Sequence, residues 1–297
     1  MNSVDVRSRA EVQSYPLRQG LSDNAGHVTV VRASDGVSSR LLVELLGYRE
    51  LLGFLVWRDI KVRYKQTALG GAWAILQPLL SMAVFSIVFG RLAGLDSDGV
   101  PYPLFAYAAL VPWTYFSTAV SQSAASLVDQ ERLLTKVYFP RALMPAAPVL
   151  AGLLDFAVAF ALLLGLQAYY GVGPGWTLVL LPLFLLLALG AALGLGLWLS
   201  ALNVEYRDVR YVIPFFLQIM LFATPVVYSS TLVPERWRAV LGLNPMAGAI
   251  EGFRWTLFDL SNPSWSLMGV SLATTATLLA TGWLYFARME RTFADRV

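Results

Sequence analysis

The sequence has no cysteine, one histidine and three lysines, and only 14% of its 297 residues are charged. Each shortage removes a kind of chemistry. Without cysteine there is no disulfide framework and no thiolate nucleophile or ligand. The histidine, His27, stands in a polar N-terminal stretch, which takes histidine metal sites and histidine general bases away from the rest of the chain. None of Lys61, Lys65 and Lys136 follows a glycine, so the phosphate-cradling loop of a P-loop nucleotidase is missing. Serines are plentiful, yet no G-x-S-x-G elbow is present. The chain therefore reads as a non-enzyme with no cofactor or metal site of its own.

What it has instead is apolar surface. Apolar residues make up 57% of the sequence and the mean hydropathy is +0.60, against about 45–50% apolar and about 25% charged residues in soluble domains. The charges collect between long, nearly uncharged runs, the pattern of an all-α polytopic membrane protein. Six spans are predicted at about 71–90, 102–121, 142–170, 176–202, 211–228 and 266–287. Residues 1–39 read as a flexible tail with no signal-peptide core, 40–68 as an amphipathic interfacial helix, and 69–297 as the transmembrane domain. The stretch 229–265 is too apolar for a solvated loop and predicts two short re-entrant helices, the second opening at Asn244-Pro245, where Asn caps and Pro suits the first helical position.

The chain is organised around 57–80, WRDIKVRYKQTALGGAWAILQPLL. Arg58, Lys61 and Lys65 recur at spacings of three and four and share a helical face. With Arg63 they form a basic segment suited to lie in the membrane interface, cations toward water and lipid phosphate. Leu41, Leu45, Tyr48, Leu52 and Leu55 supply the apolar stripe beneath it. With six spans both termini share a side. Fourteen Lys and Arg then fall in segments on that side, besides four in the tail, and four (Arg91, Arg236, Arg238, Arg254) fall opposite. The positive-inside rule puts both termini in the cytoplasm. The net charge of +3 is thus a matter of sidedness, not of nucleic-acid binding.

Two features within the spans are candidates for function. Asp155 is the one ionisable residue inside a span; an intramembrane carboxylate either carries ions or hydrogen-bonds a neighbouring helix, and a lone one without a relay favours the second role. The aromatics number 16 Phe, 13 Tyr and 9 Trp, and most Trp near span ends fit an interfacial belt. Tyr107, Trp113, Tyr115 and Phe116 in span 2, with Phe215 and Phe222 in span 5, are denser than a belt needs and are candidates to line a path, where flat faces suit sugar rings. Phe215 and Phe222, seven apart, share a face, and Phe216 points about 100° away.

The 57–80 run, with YFPRALMP at 138–145, NVEYRDVRYVIP at 203–214, TPVVYSS at 224–230 and LNPMAGAIEGFRW at 243–255, resembles the membrane subunits of ABC-2 type polysaccharide exporters. The likeness covers roughly 40–290 in the family's order. It implies a half-transporter of six helices in the bacterial inner membrane. Two copies would make the pore, with two copies of a separate cytoplasmic ATPase that holds ATP and Mg. The implied cargo is a lipid-linked glycan such as O-antigen, teichoic acid, capsule or cell-wall galactan. The loop 128–141 is expected to dock the ATPase, since Glu131, Arg132 and Lys136 are interleaved with Leu133 and Leu134, as in a short helix that enters a partner's groove. The rival readings are an exporter of a small lipid or drug, an ion-coupled carrier that uses Asp155, and a membrane glycosyltransferase, which the lack of a carboxylate cluster disfavours.

Overall fold

The computed structural model describes residues 47–65, 70–131, 133, 139–173, 175–206, 208–259 and 263–290. Among these the chain is helical, with no strand. The nine α-helices are α1 (Arg49–Lys65), α2 (Gly70–Phe85), α3 (Tyr102–Asp129), α4 (Leu143–Tyr169), α5 (Leu181–Glu205), α6 (Val209–Ala223), α7 (Glu235–Leu241), α8 (Pro245–Phe258) and α9 (Trp265–Met289). Helix α2 continues as a π-helix, Ser86–Leu92, and a 3-10 turn, Trp176–Leu180, leads into α5. Among the described residues four segments are long and apolar enough to cross a bilayer: Ile75–Leu92, Leu143–Tyr169, Trp176–Glu205 and Trp265–Met289. Helix α6 is apolar but shorter. The predicted tail 1–39 lies outside the described residues.

Helix α3 is the hub. Nineteen of its 28 residues are buried, from Tyr102 to Leu127. It packs against α4 and α5, and the core between them takes Phe253 and Ile250 from α8. Helices α5 and α9 meet through glycine: a Cβ on Gly282 would lie 2.4 Å from the Gly194 carbonyl oxygen, and one on Gly194 would lie 2.8 Å from the Leu279 nitrogen. Close approach of small residues brings backbones into dispersion contact where no hydrophobic force acts between helices. Gly190 and Gly194, four residues apart on α5, thus both pack against α9.

The turns follow local chemistry. Between the first two spans the Ser97 carbonyl accepts from the Val100 N–H at 3.0 Å, with Asp98 at φ 54° and Gly99 at φ 79°. An Asp-Gly pair is a favoured sequence where both central residues need positive φ. Asn244 caps α8 by accepting the Met246 N–H at 3.0 Å, so that helix starts at the predicted Asn-Pro. Span 2 differs from its expected end at 121: its helix runs on to Asp129, because Ala124 and Leu127 are still buried against the bundle.

Candidate functional site

The basic segment is expected to turn its cations toward water and lipid phosphate. Its helix, α1, runs along α4. Leu55 is buried in one cluster with Leu143, Met144 and Ala147 at the start of α4. Eight residues later Arg63 pairs with Asp155, the thirteenth residue of α4. The two helices therefore keep company over about 12 Å. Arg63 also donates to the Gln122 side-chain oxygen on α3, and the Tyr64 hydroxyl donates to Asp155. Arg58 forks to Asp59 at 2.8 Å and to the Gln130 side-chain oxygen at 2.6 Å. Arg58 and Arg63 thus face the protein, while Lys61 and Lys65 are exposed, Lys61 lying 5.6 Å over the Trp57 ring. The inward face has a physical cause: a carboxylate in the middle of an apolar helix favours a counter-charge beside it, and Arg63 is the cation that α1 brings to its level.

The span-2 aromatics do not line a surface. Tyr107, Trp113, Tyr115 and Phe116 are all buried in the core of this chain. The Tyr107 hydroxyl donates to the Ala159 carbonyl at 3.3 Å and the Tyr115 hydroxyl to the Val149 carbonyl at 3.2 Å. Tyr115 sits edge-on to Phe156, ring centroids 5.8 Å apart. Rings already packed between α3 and α4 have no face left for a passing sugar. Span 5 is the opposite. In α6 only Ile213 and Leu217 are buried, and Phe215 and Phe222 are 65% and 53% exposed on one face with Val212 and Ile219. Phe216 is less exposed and turns toward a groove beside α7. Helix α2 likewise leaves Leu76, Leu80, Val84 and Ile87 uncovered.

At the far ends of the spans an unexpected clamp appears. Arg254, on α8, is 2% exposed. It donates to the carbonyls of Pro225 at 2.6 Å, Val226 at 2.7 Å and Tyr228 at 3.2 Å, and lies 3.4 Å from the Phe105 ring centre. Burial pushes its guanidinium down to about 9, against the upward pull of Glu251 and Asp98, so it remains a cation at neutral pH. Glu251 accepts from the Ser230 hydroxyl at 2.9 Å, and Asp98 accepts from Ser229 at 2.5 Å and Thr231 at 3.2 Å. The sequence set Glu251 and Arg254 one turn apart, but gave no sign that the arginine turns inward to hold three carbonyls of the chain after α6.

The expected docking loop is described only in part. Leu133 packs partly buried on the cluster around Leu55 and donates its N–H to the Gln130 carbonyl at 2.9 Å. Glu131 is exposed, and Arg132, Leu134 and Lys136 lie outside the described residues. Among the described residues no group of three or more His, Cys, Asp or Glu could hold a metal ion.

Residues 50–258 match the family described as "ABC-2 type transporter". An O-antigen export system permease protein of Myxococcus xanthus is 35% identical over 262 residues, 87% of this chain and 99% of that protein. A protein of the same description from Klebsiella pneumoniae is 26% identical over 252 residues, 84% of this chain and 96% of its own length. A polysialic acid transport protein of Escherichia coli is 24% identical over 244 residues, 80% of this chain and 92% of its own.

Proposed function

The chain belongs to the ABC-2 type transporter family, and we propose that it is the membrane half of an ATP-driven exporter that moves a lipid-linked polysaccharide outward from the cytoplasmic side. The observation that carries this is the likeness to the O-antigen export permease of Myxococcus xanthus, 35% identical over 99% of that protein's length. Six spans, formed by α2 with its π-helix, α3, α4, α5, α6 and α9, put both termini in the cytoplasm of a bacterial inner membrane. Helices α7 and α8 then sit at the outer face as the re-entrant pair.

Among the described residues, nothing covers the apolar faces of α2 and α6. We place a second copy and the path there. A glycan cannot cross hydrocarbon with its hydroxyls unpaired, at several kcal/mol for each, so the path needs flat apolar faces together with hydrogen-bonding groups. Phe215, Phe222 and Tyr211 on α6 supply both kinds of group. ATP and Mg belong to a separate ATPase, in two copies, that docks on the segment 128–141. The pairing of Asp155 with Arg63 supports a structural carboxylate over a proton carrier. Deleting the gene tests the function. Loss of the surface glycan, with a lipid-linked glycan trapped inside, is expected; an unchanged cell surface and no trapped glycan refute it.

A further inference from the structure

We propose that the groove between α6, α7 and α9 is a phospholipid site, holding one hydrocarbon tail along its length and the lipid phosphate at Arg236. The proposal stands apart from the transport reading and requires only that the chain sits in a bilayer.

The groove has a volume of about 620 Å³ and is walled by Leu195 of α5, Phe216 and Met220 of α6, Trp237 and Leu241 of α7, and Leu278 of α9. Its walls offer almost nothing to water. The two polar residues on it, Asn244 and Thr274, spend their groups on the protein. Asn244 accepts the Met246 N–H and donates to the Thr224 hydroxyl at 2.6 Å. The Thr274 hydroxyl donates to the Val270 carbonyl at 2.9 Å. A water needs two to four polar partners to stay in such a space, and these two side chains already have partners in the protein.

The groove fits within one leaflet. Along α6 it runs from Phe216 to Ala223, about 10 Å at 1.5 Å per residue, and half of a bilayer's hydrocarbon is about 15 Å. A dry slot of that length suits part of a lipid tail. The open end is built for a headgroup. Helix α7 carries Trp237, Val240 and Leu241 toward the slot and Glu235, Arg236 and Arg238 in the same seven residues. Trp237 is half-exposed, its indole placed where an amphipathic ring anchors at the membrane surface. Arg238 is tied down, donating to the carbonyls of Val233 at 2.9 Å and Thr231 at 3.1 Å. Arg236 is exposed, adjoins Trp237 and lies one turn before Val240, both of which line the slot. An exposed arginine next to residues that line an apolar slot is complementary to an anionic phosphate above a tail. The occupant would wedge α6 from α9, which matters because only Ile213 and Leu217 bury α6 in the bundle.

The test uses the full chain in vesicles of phosphatidylethanolamine and phosphatidylglycerol, doped with phosphatidylglycerol bearing a diazirine at the end of one acyl chain. After irradiation, labelled residues are mapped by mass spectrometry. Labelling concentrated on Phe216, Met220 and Leu278, above that of the exposed Leu272 on the outer side of α9, is expected. Ala223→Trp, which fills the groove, should reduce it to the Leu272 level. Arg236→Gln, at an exposed position that will not disturb folding, should weaken it about fivefold, the worth of one cation at an anionic surface. Groove labelling no denser than at Leu272, or insensitivity to both variants, would each overturn the site. No transport is read, so failure here leaves the exporter reading standing, and failure of that reading leaves this site untouched.

Discussion

Arg63 and Asp155, 92 residues apart in the sequence, face each other between α1 and α4. The pair ties the helix that precedes the first span to the middle of the third, with Tyr64 and Gln122 filling the remaining positions around it. Removing one charge strands the other where water is scarce. Asp155→Asn or Arg63→Gln alone should destabilise the protein by about 1–3 kcal/mol, less than the about 3–5 kcal/mol of a fully buried pair because both side chains keep some exposure. The double variant should lose less than the sum, and thermal unfolding in detergent of the four proteins measures the coupling. Additive losses would show that the pair is not coupled. A folded Asp155→Asn variant without transport at any pH would make Asp155 an ion carrier.

Much of this was legible in the sequence because the information is local. The apolar runs and the cap at Asn244 are each decided by a few neighbouring residues. The different faces of Phe215 and Phe216 follow from helical geometry alone. What escaped is long-range. Arg58, Lys61 and Lys65 share a face by spacing, yet Arg58 bends to Asp59 and Gln130, and nothing near Arg63 announces a carboxylate 92 positions on. The aromatics of span 2 show the same limit. Tyr107 and Phe116 can line a path or a core with equal chemistry, and only the neighbours, Ala159 and Phe156 among them, decide for the core.

Helices α5 and α9 touch backbone to backbone at Gly194 and Gly282. Gly282→Ala should push them apart at a cost of about 1–3 kcal/mol, the usual penalty of overpacking. Gly269→Ala, on the same helix with nothing within 4 Å of its added methyl, is the control. A fall in Tm for the first and none for the second is expected. Equal behaviour of the two would contradict the close approach.

Arg254 holds the carbonyls of Pro225, Val226 and Tyr228. Arg254→Met keeps the length and leaves these acceptors without a donor, at about 1–3 kcal/mol for each one left unsatisfied. Arg254→Lys keeps the charge but not the planar fork, and should recover only part of the loss. Protease accessibility of the segment after α6 should rise in the order wild type, Lys, Met. No change in either variant would mean that the clamp holds nothing.

On α6, alanine at Phe215 and at Phe222 should slow glycan export to a similar degree and leave basal ATP hydrolysis of the assembled complex intact. Alanine at Phe216 should behave differently, since its ring turns to the groove beside α7. Single cysteines placed at the three positions, in a chain that has none of its own, should take a water-soluble thiol reagent at 215 and 222. Reagent access from lipid alone, with normal export by the alanine variants, would remove α6 from the path.

The most direct test of the exporter reading is to purify the chain with its ATPase, reconstitute both in vesicles and supply a lipid-linked polysaccharide on the ATPase side. With ATP the glycan should become protected from a glycosidase added on that side, and an ATPase unable to hydrolyse should leave it fully digestible. Glycan that crosses equally well without ATP, or that follows a pH gradient instead, would contradict a permease driven by ATP hydrolysis.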